Sequence, residues 1–166
     1  MGKHINYLFG LFTFIFIFTW INAESPTAIP CRGTSQSARN VTIDVSGCTN
    51  TTRCPLIRGS SHIVTVSFIP TKNSSSNVNR RIYGVFHGLP IPYGRSEKIC
   101  ENARDEFNLT CKETKGLIAD RKYTYNSMFP VQPFFPSLAL NVRYQFTDGK
   151  NAIVCVELPV KIVSRH

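Results

Sequence analysis

The side chains best equipped for chemistry in this chain are its cysteines and histidines, and their spacing points away from catalysis. Cys31, Cys48, Cys54, Cys100, Cys111 and Cys155 form no Cys-x-x-Cys pair, and no His-x-x-x-His accompanies them. A tetrahedral zinc site therefore lacks its usual local scaffold. An even number of cysteines behind an export signal instead predicts three disulfides. That leaves no thiol free to act as a nucleophile. Six cysteines allow fifteen pairings, and spacing alone does not select one. Cys48 and Cys54 flank a short polar loop, as do Cys100 and Cys111, and local pairing at both would leave Cys31 with Cys155. No Gly-x-Ser-x-Gly elbow is present, and that elbow is what a hydrolase of that kind requires. His62, His87 and His166 have no acidic motif beside them; the first two fall in predicted strands and the third is the terminus. No nucleophile–base pair is suggested, so an enzyme is not expected, nor is a metal or a cofactor.

The export signal is the N-terminal segment. Lys3 and His4 precede an apolar run over residues 7–21, and Ile21-Asn22-Ala23 offers a small residue at the cut. This is the layout of a secretory signal peptide over residues 1–23. The run is shorter than the roughly 20 residues of a spanning helix. Asn6 stands where a myristoylation signal wants Ser or Thr. Residues 24–166 are expected to form one domain, since a chain that is 42% hydrophobic can build its own core. The formal net charge is +9, and Lys3 supplies one unit, so residues 24–166 carry +8. The basic residues are scattered, with only Arg80-Arg81 and Arg121-Lys122 adjacent. A nucleic-acid binder would gather them on one face; transient attraction to anionic membranes is the remaining electrostatic expectation. Sequons at Asn40, Asn50, Asn73 and Asn108 predict four surface positions open to glycosylation.

Period-two alternation organises the rest. Over residues 137–146, Leu138, Leu140, Val142, Tyr144 and Phe146 share one face of a predicted strand. Asp148-Gly149 reads as a turn. The returning strand over 153–163 aligns Val154, Val156, Leu158, Val160 and Ile162. Pro159 cannot donate to a ladder, so this strand is expected to meet a neighbour on one side only, or to bulge there. Further strands are predicted over 41–45, 62–69, 81–87 and 122–129, with Gly84 marking a bulge or a close approach. Residues 97–115 are polar and read as a disulfide loop with a helical turn. Many short strands separated by turn signals predict an all-β sandwich.

Two connections break the rule that loops are polar. Gly88-Leu89-Pro90-Ile91-Pro92-Tyr93-Gly94 and Pro130-Val131-Gln132-Pro133-Phe134-Phe135-Pro136 both carry large apolar side chains stiffened by proline. They either cap the core or rim the mouth of an apolar cavity between the sheets.

Residues 84–93, Lys122-Tyr123-Thr124-Tyr125 through Pro130-Val131, and Cys155-Val156-Glu157-Leu158-Pro159-Val160-Lys161-Ile162-Val163 decide between these readings. Together with all six cysteines they resemble the lipid-recognition (ML) domain family, which includes soluble cholesterol carriers and the mite group-two allergens. The resemblance covers residues 31–166. It implies an immunoglobulin-like β-sandwich of two antiparallel sheets, disulfides Cys31–Cys155, Cys48–Cys54 and Cys100–Cys111, and an apolar cavity between the sheets. It places Tyr93, Val131 and Phe135 among the lipid-binding residues. It further implies a secreted, monomeric carrier of a sterol such as cholesterol, or of another single lipid, working outside the cell or in the endo-lysosomal lumen. Its partners would be anionic membranes and a membrane sterol transporter. Carriage of fatty acids or small hydrophobic signals, or a lipid-sensing immune-recognition role, are the alternatives. Three features depart from the family pattern. Val156 stands where the family carries tryptophan, and the Cys100–Cys111 loop is longer than usual and carries the Asn108 sequon. Tyr93 replaces a phenylalanine, adding a hydroxyl that needs a partner when buried.

Overall fold

Alternating sequences become strands along most of the chain. The computed structural model describes residues 28–48 and 52–164; the expected signal peptide and the Asn50 sequon lie outside them. The strands are β1 (Ile29–Pro30), β2 (Ala38–Val45), β3 (Cys54–Ile57), β4 (Ser61–Pro70) and β5 (Asn79–Phe86), followed by β6 (Leu89–Lys98), β7 (Ala103–Asp105), β8 (Tyr123–Pro130), β9 (Ala139–Asp148) and β10 (Asn151–Val163). One sheet runs β1-β10-β9-β5-β6, with β3 also lying along β10; the other runs β2-β4-β8-β7. Every pairing is antiparallel except β3 on β10. This is an all-β, immunoglobulin-like sandwich of two sheets. Among the described residues no helix is long and apolar enough to cross a membrane.

The inward faces interlock. Val142, Tyr144 and Phe146 of β9 and Val154, Val156, Leu158 and Val160 of β10 are buried, and so are Val64, Val66 and Phe68 of β4 and Tyr123 and Tyr125 of β8. Phe146 is met edge-on by Phe68 and Tyr125, with ring centroids 5.6 and 5.3 Å apart. Each such apolar side chain contributes about 1.5–3 kcal/mol by burial, and aliphatic and aromatic residues together hold the sheets face to face. The cysteines pair as Cys31–Cys155, Cys48–Cys54 and Cys100–Cys111. The first joins residues 124 apart in sequence, a closure that stabilises by about 4–5 kcal/mol on chain-entropy grounds. It fastens the segment after β1 to the outer face of β10.

The structure corrects several local expectations. Residues 88–94 are not an irregular loop: from Leu89 onward they form β6, the edge strand beside β5. Pro90 and Pro92 are two apart and so share one edge of the strand, the outer edge, where no ladder bond is lost. The β5–β6 hairpin turns on His87 and Gly88, with φ of 48° and 83°, so His87 is a turn residue and not a strand residue. Positive φ at both central positions is the type I′ arrangement that matches strand twist. The β9–β10 turn is likewise shifted by one: Asp148 pairs with Asn151, and Gly149-Lys150 makes the turn. β10 has neighbours on both sides. Pro159 pairs with Asn141 of β9, and on its other flank falls in the gap between the part held by β1 and the part held by β3. The irregularity of β10 lies between Ala152 and Val154. Gly84 marks a close approach, since a Cβ there would lie 3.1 Å from Leu140 Cδ1, while the bulge at this sheet edge belongs to β6, whose residues 94–96 stand opposite Arg81 alone.

The 97–115 region contains no helix; it holds β7 and a series of turns. Asp105 organises them. Its buried carboxylate accepts the N–H groups of Phe107 at 3.0 Å and Leu109 at 2.9 Å and pairs with Arg121 at 3.1 Å. Burial alone would raise the pKa of this carboxyl, but those backbone bonds and the Arg121 guanidinium outweigh it and hold the pKa below the usual value.

Candidate binding cavity

The feature these elements position is a cavity of about 290 Å³ at one end of the sandwich. Its floor is the inner face of the larger sheet: Ile82 and Gly84 of β5, Leu140 and Val142 of β9, Val160 and Ile162 of β10. The opposite wall is Phe129 of β8 and the 131–138 connection, and Tyr93 of β6 closes one side. The lining contains no charged residue and no amide side chain. Gly84 matters here, because any side chain at that position would crowd Leu140 and shallow the floor.

Tyr93, Val131 and Phe135, from two separate segments, are brought together on this cavity. Tyr93 packs against Phe129 and Phe135, with centroids 5.1 and 5.7 Å apart. The hydroxyl that sequence flagged as needing a partner donates to the Pro130 carbonyl at 2.5 Å. That bond ties the edge strand β6 to the end of β8 across the cavity mouth. Val131 is buried and fixed from both backbone groups: its N–H donates to Ser60 and its carbonyl accepts from Gly59, each at 2.8 Å. Phe135 is stacked edge-on by Phe134 at 5.4 Å. At the mouth, Ile91 and Phe86 are part of the lining yet 55 and 42% exposed, and Phe134 and Leu89 nearby in the chain are 78 and 68% exposed. A cluster of large apolar side chains left in water marks an interaction site.

The sequence missed most of the lining. Ile82, Phe129, Leu140 and Val142 are inward strand positions whose alternation is the same as that of the solid core, and Leu56 lies on β3, which no pattern predicted. Asn40, Asn73 and Asn108 are exposed; Asn73 Oδ1 accepts the N–H of Ala119 at 2.8 Å. His62 is buried against the Ser46 carbonyl and the Ser60 hydroxyl, at 2.9 and 3.1 Å, a packing role with no carboxylate in reach. Among the described residues no group of three or more His, Cys, Asp or Glu is placed to hold a metal ion.

Comparison with known proteins agrees with this architecture. Residues 27–162 match the family model of the ML domain. The chain is 28% identical over 130 residues to the ecdysteroid-regulated 16 kDa protein of Manduca sexta, covering 77% of this chain and 83% of that protein. It is 30% identical over 122 residues to NPC intracellular cholesterol transporter 2 of Bos taurus, covering 72% of this chain and 74% of that one. Among solved structures, a Niemann-Pick type C2 protein from Japanese carpenter ant superposes with a TM-score of 0.67 at 25% identity, covering 81% of this chain and 99% of the other. The chain therefore belongs to the ML domain family, the lipid-recognition family that its motifs resemble.

Proposed function

We propose that this protein is a carrier that holds one lipid in the cavity between its sheets and transfers it without chemical change. The observation that carries the reading is the lining: a chamber walled entirely by apolar and aromatic groups, with an exposed apolar rim at its mouth. Water gains little in such a space, and a hydrocarbon gains much. Burying about 400 Å² of ligand surface gives roughly 10 kcal/mol gross, and association costs remove a good part of it. The remainder suits reversible transfer. Tyr93, Val131 and Phe135 are the residues assigned to lipid contact.

A sterol such as cholesterol is the leading cargo, in keeping with the relatives named as cholesterol transporters. Fatty acids or small hydrophobic signals form the second reading. It is favoured by the cavity volume of about 290 Å³, which lies at the lower edge of the roughly 300–1,000 Å³ typical of small-molecule sites. The protein acts as a secreted monomer after removal of residues 1–23, outside the cell or in the endo-lysosomal lumen, with Asn40, Asn50, Asn73 and Asn108 as its glycosylation positions. It delivers to anionic membranes, where each nearby Lys or Arg contributes about 1 kcal/mol, and a membrane sterol transporter is a natural acceptor.

Native mass spectrometry of the purified protein before and after lipid extraction tests the reading. A bound mass of one sterol or fatty acid, lost on extraction and restored by adding lipid, is expected. A protein that never takes up lipid under these conditions would end the proposal. Transfer of a fluorescent sterol should also be faster to anionic than to neutral vesicles at low salt, and the advantage should shrink as salt rises.

A further inference from the structure

Behind the apolar chamber the sandwich changes character. On each of three strands that frame the cavity, the next inward position beyond a lining residue is polar: Ile82 leads to Arg80 on β5, Val142 to Tyr144 on β9, and Phe129 to Ser127 on β8. They lie behind the lining and not in it: Tyr144 pairs with the lining residue Ile82, and Arg80 sits one inward step deeper, opposite Phe146. The Tyr144 ring also lies against the lining residue Phe129, with centroids 6.4 Å apart.

These groups are buried and short of partners. Arg80 is only 5% exposed. Its Nη2 pairs with Glu97 at 2.6 Å, but its Nε and Nη1 meet no acceptor among the described residues. The Tyr144 hydroxyl is buried without a partner in the same way, and the Ser127 hydroxyl has none at full hydrogen-bond distance, with the Tyr125 phenol as its neighbour. A buried donor left unpaired forfeits its hydration without compensation, so a group of several is not neutral filler. Burial pushes the Tyr144 phenol well above its usual pKa range, the nearby Arg80 charge only partly opposing it. It is a neutral donor under all ordinary conditions.

We infer that this group receives the polar end of an amphipathic lipid, and that the chemistry it fits is a carboxylate, with the hydrocarbon chain lying back along the apolar chamber towards the mouth. The inference rests on the carrier reading above and names the class of ligand. A carboxylate is acceptor-only, with about four lone-pair sites, and its bonds to a guanidinium are roughly twice as strong as neutral ones. A sterol or alkanol hydroxyl answers one or two of these donors and brings no opposing charge. Glu97 is 57% exposed at its side chain, so it can turn into water and leave Arg80 to the incoming carboxylate.

The test compares dodecanoate with dodecanol, and both with cholesterol, by displacement of a fluorescent lipid from the lipid-extracted full protein and from Tyr144→Phe and Arg80→Met variants. The expected result is at least ten-fold tighter binding of dodecanoate than of dodecanol to the parent protein. Each substitution should reduce that ratio several-fold, because dodecanoate loses more affinity than dodecanol does. Tyr144→Phe removes only an unpartnered hydroxyl and keeps the fold, so the test stands even where Arg80→Met fails to fold. A ratio near one in the parent protein, or a ratio that survives Tyr144→Phe, overturns the inference. If dodecanol or cholesterol binds and the acid gains nothing, the carrier reading stands and this inference alone falls. If none of the three binds, both fall.

Discussion

The two ends of strand β8 are held by opposite means. At its Tyr123 end the neighbouring turns are locked covalently by Cys100–Cys111 and electrostatically by Asp105, whose carboxylate has three partners. At its Pro130 end no disulfide crosses the cavity wall. One tyrosine hydroxyl, a few aromatic edges, two backbone bonds at Val131, and the bonds that Arg58 and the Ile162 N–H donate to the Phe135 and Leu138 carbonyls keep that wall in place. The first end is polar and closed; the second is apolar and surrounds a space. A cavity that must admit and release a guest cannot be stitched shut, and a domain with a hollow end needs firm anchorage elsewhere. Stability and function thus draw on different halves of one sandwich.

The largest expected effect comes from cutting the stitched end. Replacing Cys100 and Cys111 together by alanine removes a short loop closure, which should lower stability by about 3 kcal/mol. Lipid affinity, measured at a temperature where the variant remains folded, should match that of the parent. Chemical denaturation and a binding titration on the same sample separate the two quantities. An affinity that falls in step with stability would show the ends to be coupled and the division wrong.

Next in size is a change at the open end with the opposite signature. Val131→Phe places a ring where Val131 now faces the cavity. In a solid core such overpacking typically costs about 1–3 kcal/mol; with space to occupy, the ring should leave the melting temperature of the lipid-free protein nearly unchanged. Ligand binding should then be lost, because ring and lipid compete for one volume. Phe135→Ala is the reverse control, since it enlarges a cavity but would leave a costly void in a core. A Val131→Phe protein that melts early and still binds lipid normally would identify this wall as core.

How much of this was legible beforehand differs between the two ends for the same reason. Alternation marked β2, β4, β5, β8, β9 and β10 because along much of each the buried positions recur at every second residue. β1, β3 and β7 are two to four residues long, too short to show a period. β6 was hidden because its prolines look like loop punctuation and its apolar side chains face water on an edge. At the cavity, two proline-bound apolar segments stood out, and the family resemblance singled out Tyr93, Val131 and Phe135 within them. Ile82, Leu140 and Val142 did not, since an inward residue bordering a void has the same local sequence as one bordering another side chain. Arg80 was legible only as half of a basic dipeptide; that it points inward follows from the β5 register, which sequence does not contain.

Acid should find the stitched end before the open one. The folded-state pKa of Asp105 is lowered, so its contribution is fully present above the unfolded value of about 3.9 and is lost as pH falls towards the folded one. Thermal melts should therefore be flat in this respect from neutral pH to about pH 5 and decline below about pH 4. Asp105→Asn should make that decline shallower, by up to one proton in the linkage slope. An unchanged slope in the variant would remove Asp105 from the acid response.

The smallest expected change is the most specific to the open end. Tyr93→Phe deletes one hydroxyl and with it the bond to the Pro130 carbonyl. Pro130 is exposed, so water takes over the freed acceptor and the loss of stability should be at most about 1 kcal/mol. The apolar body of the side chain stays, and its packing on Phe129 and Phe135 with it, so equilibrium affinity should move little. What should change is rate. The bond is the side-chain tie between the edge strand and the far wall of the mouth, and removing it lets the two sides part more often. Lipid should then exchange several-fold faster in both directions, as stopped-flow transfer to vesicles would report. Equal exchange rates in Tyr93→Phe and the parent would mean that the mouth is gated elsewhere, and would leave the apolar rim formed by Phe86, Ile91 and Phe134 as the barrier that a lipid crosses.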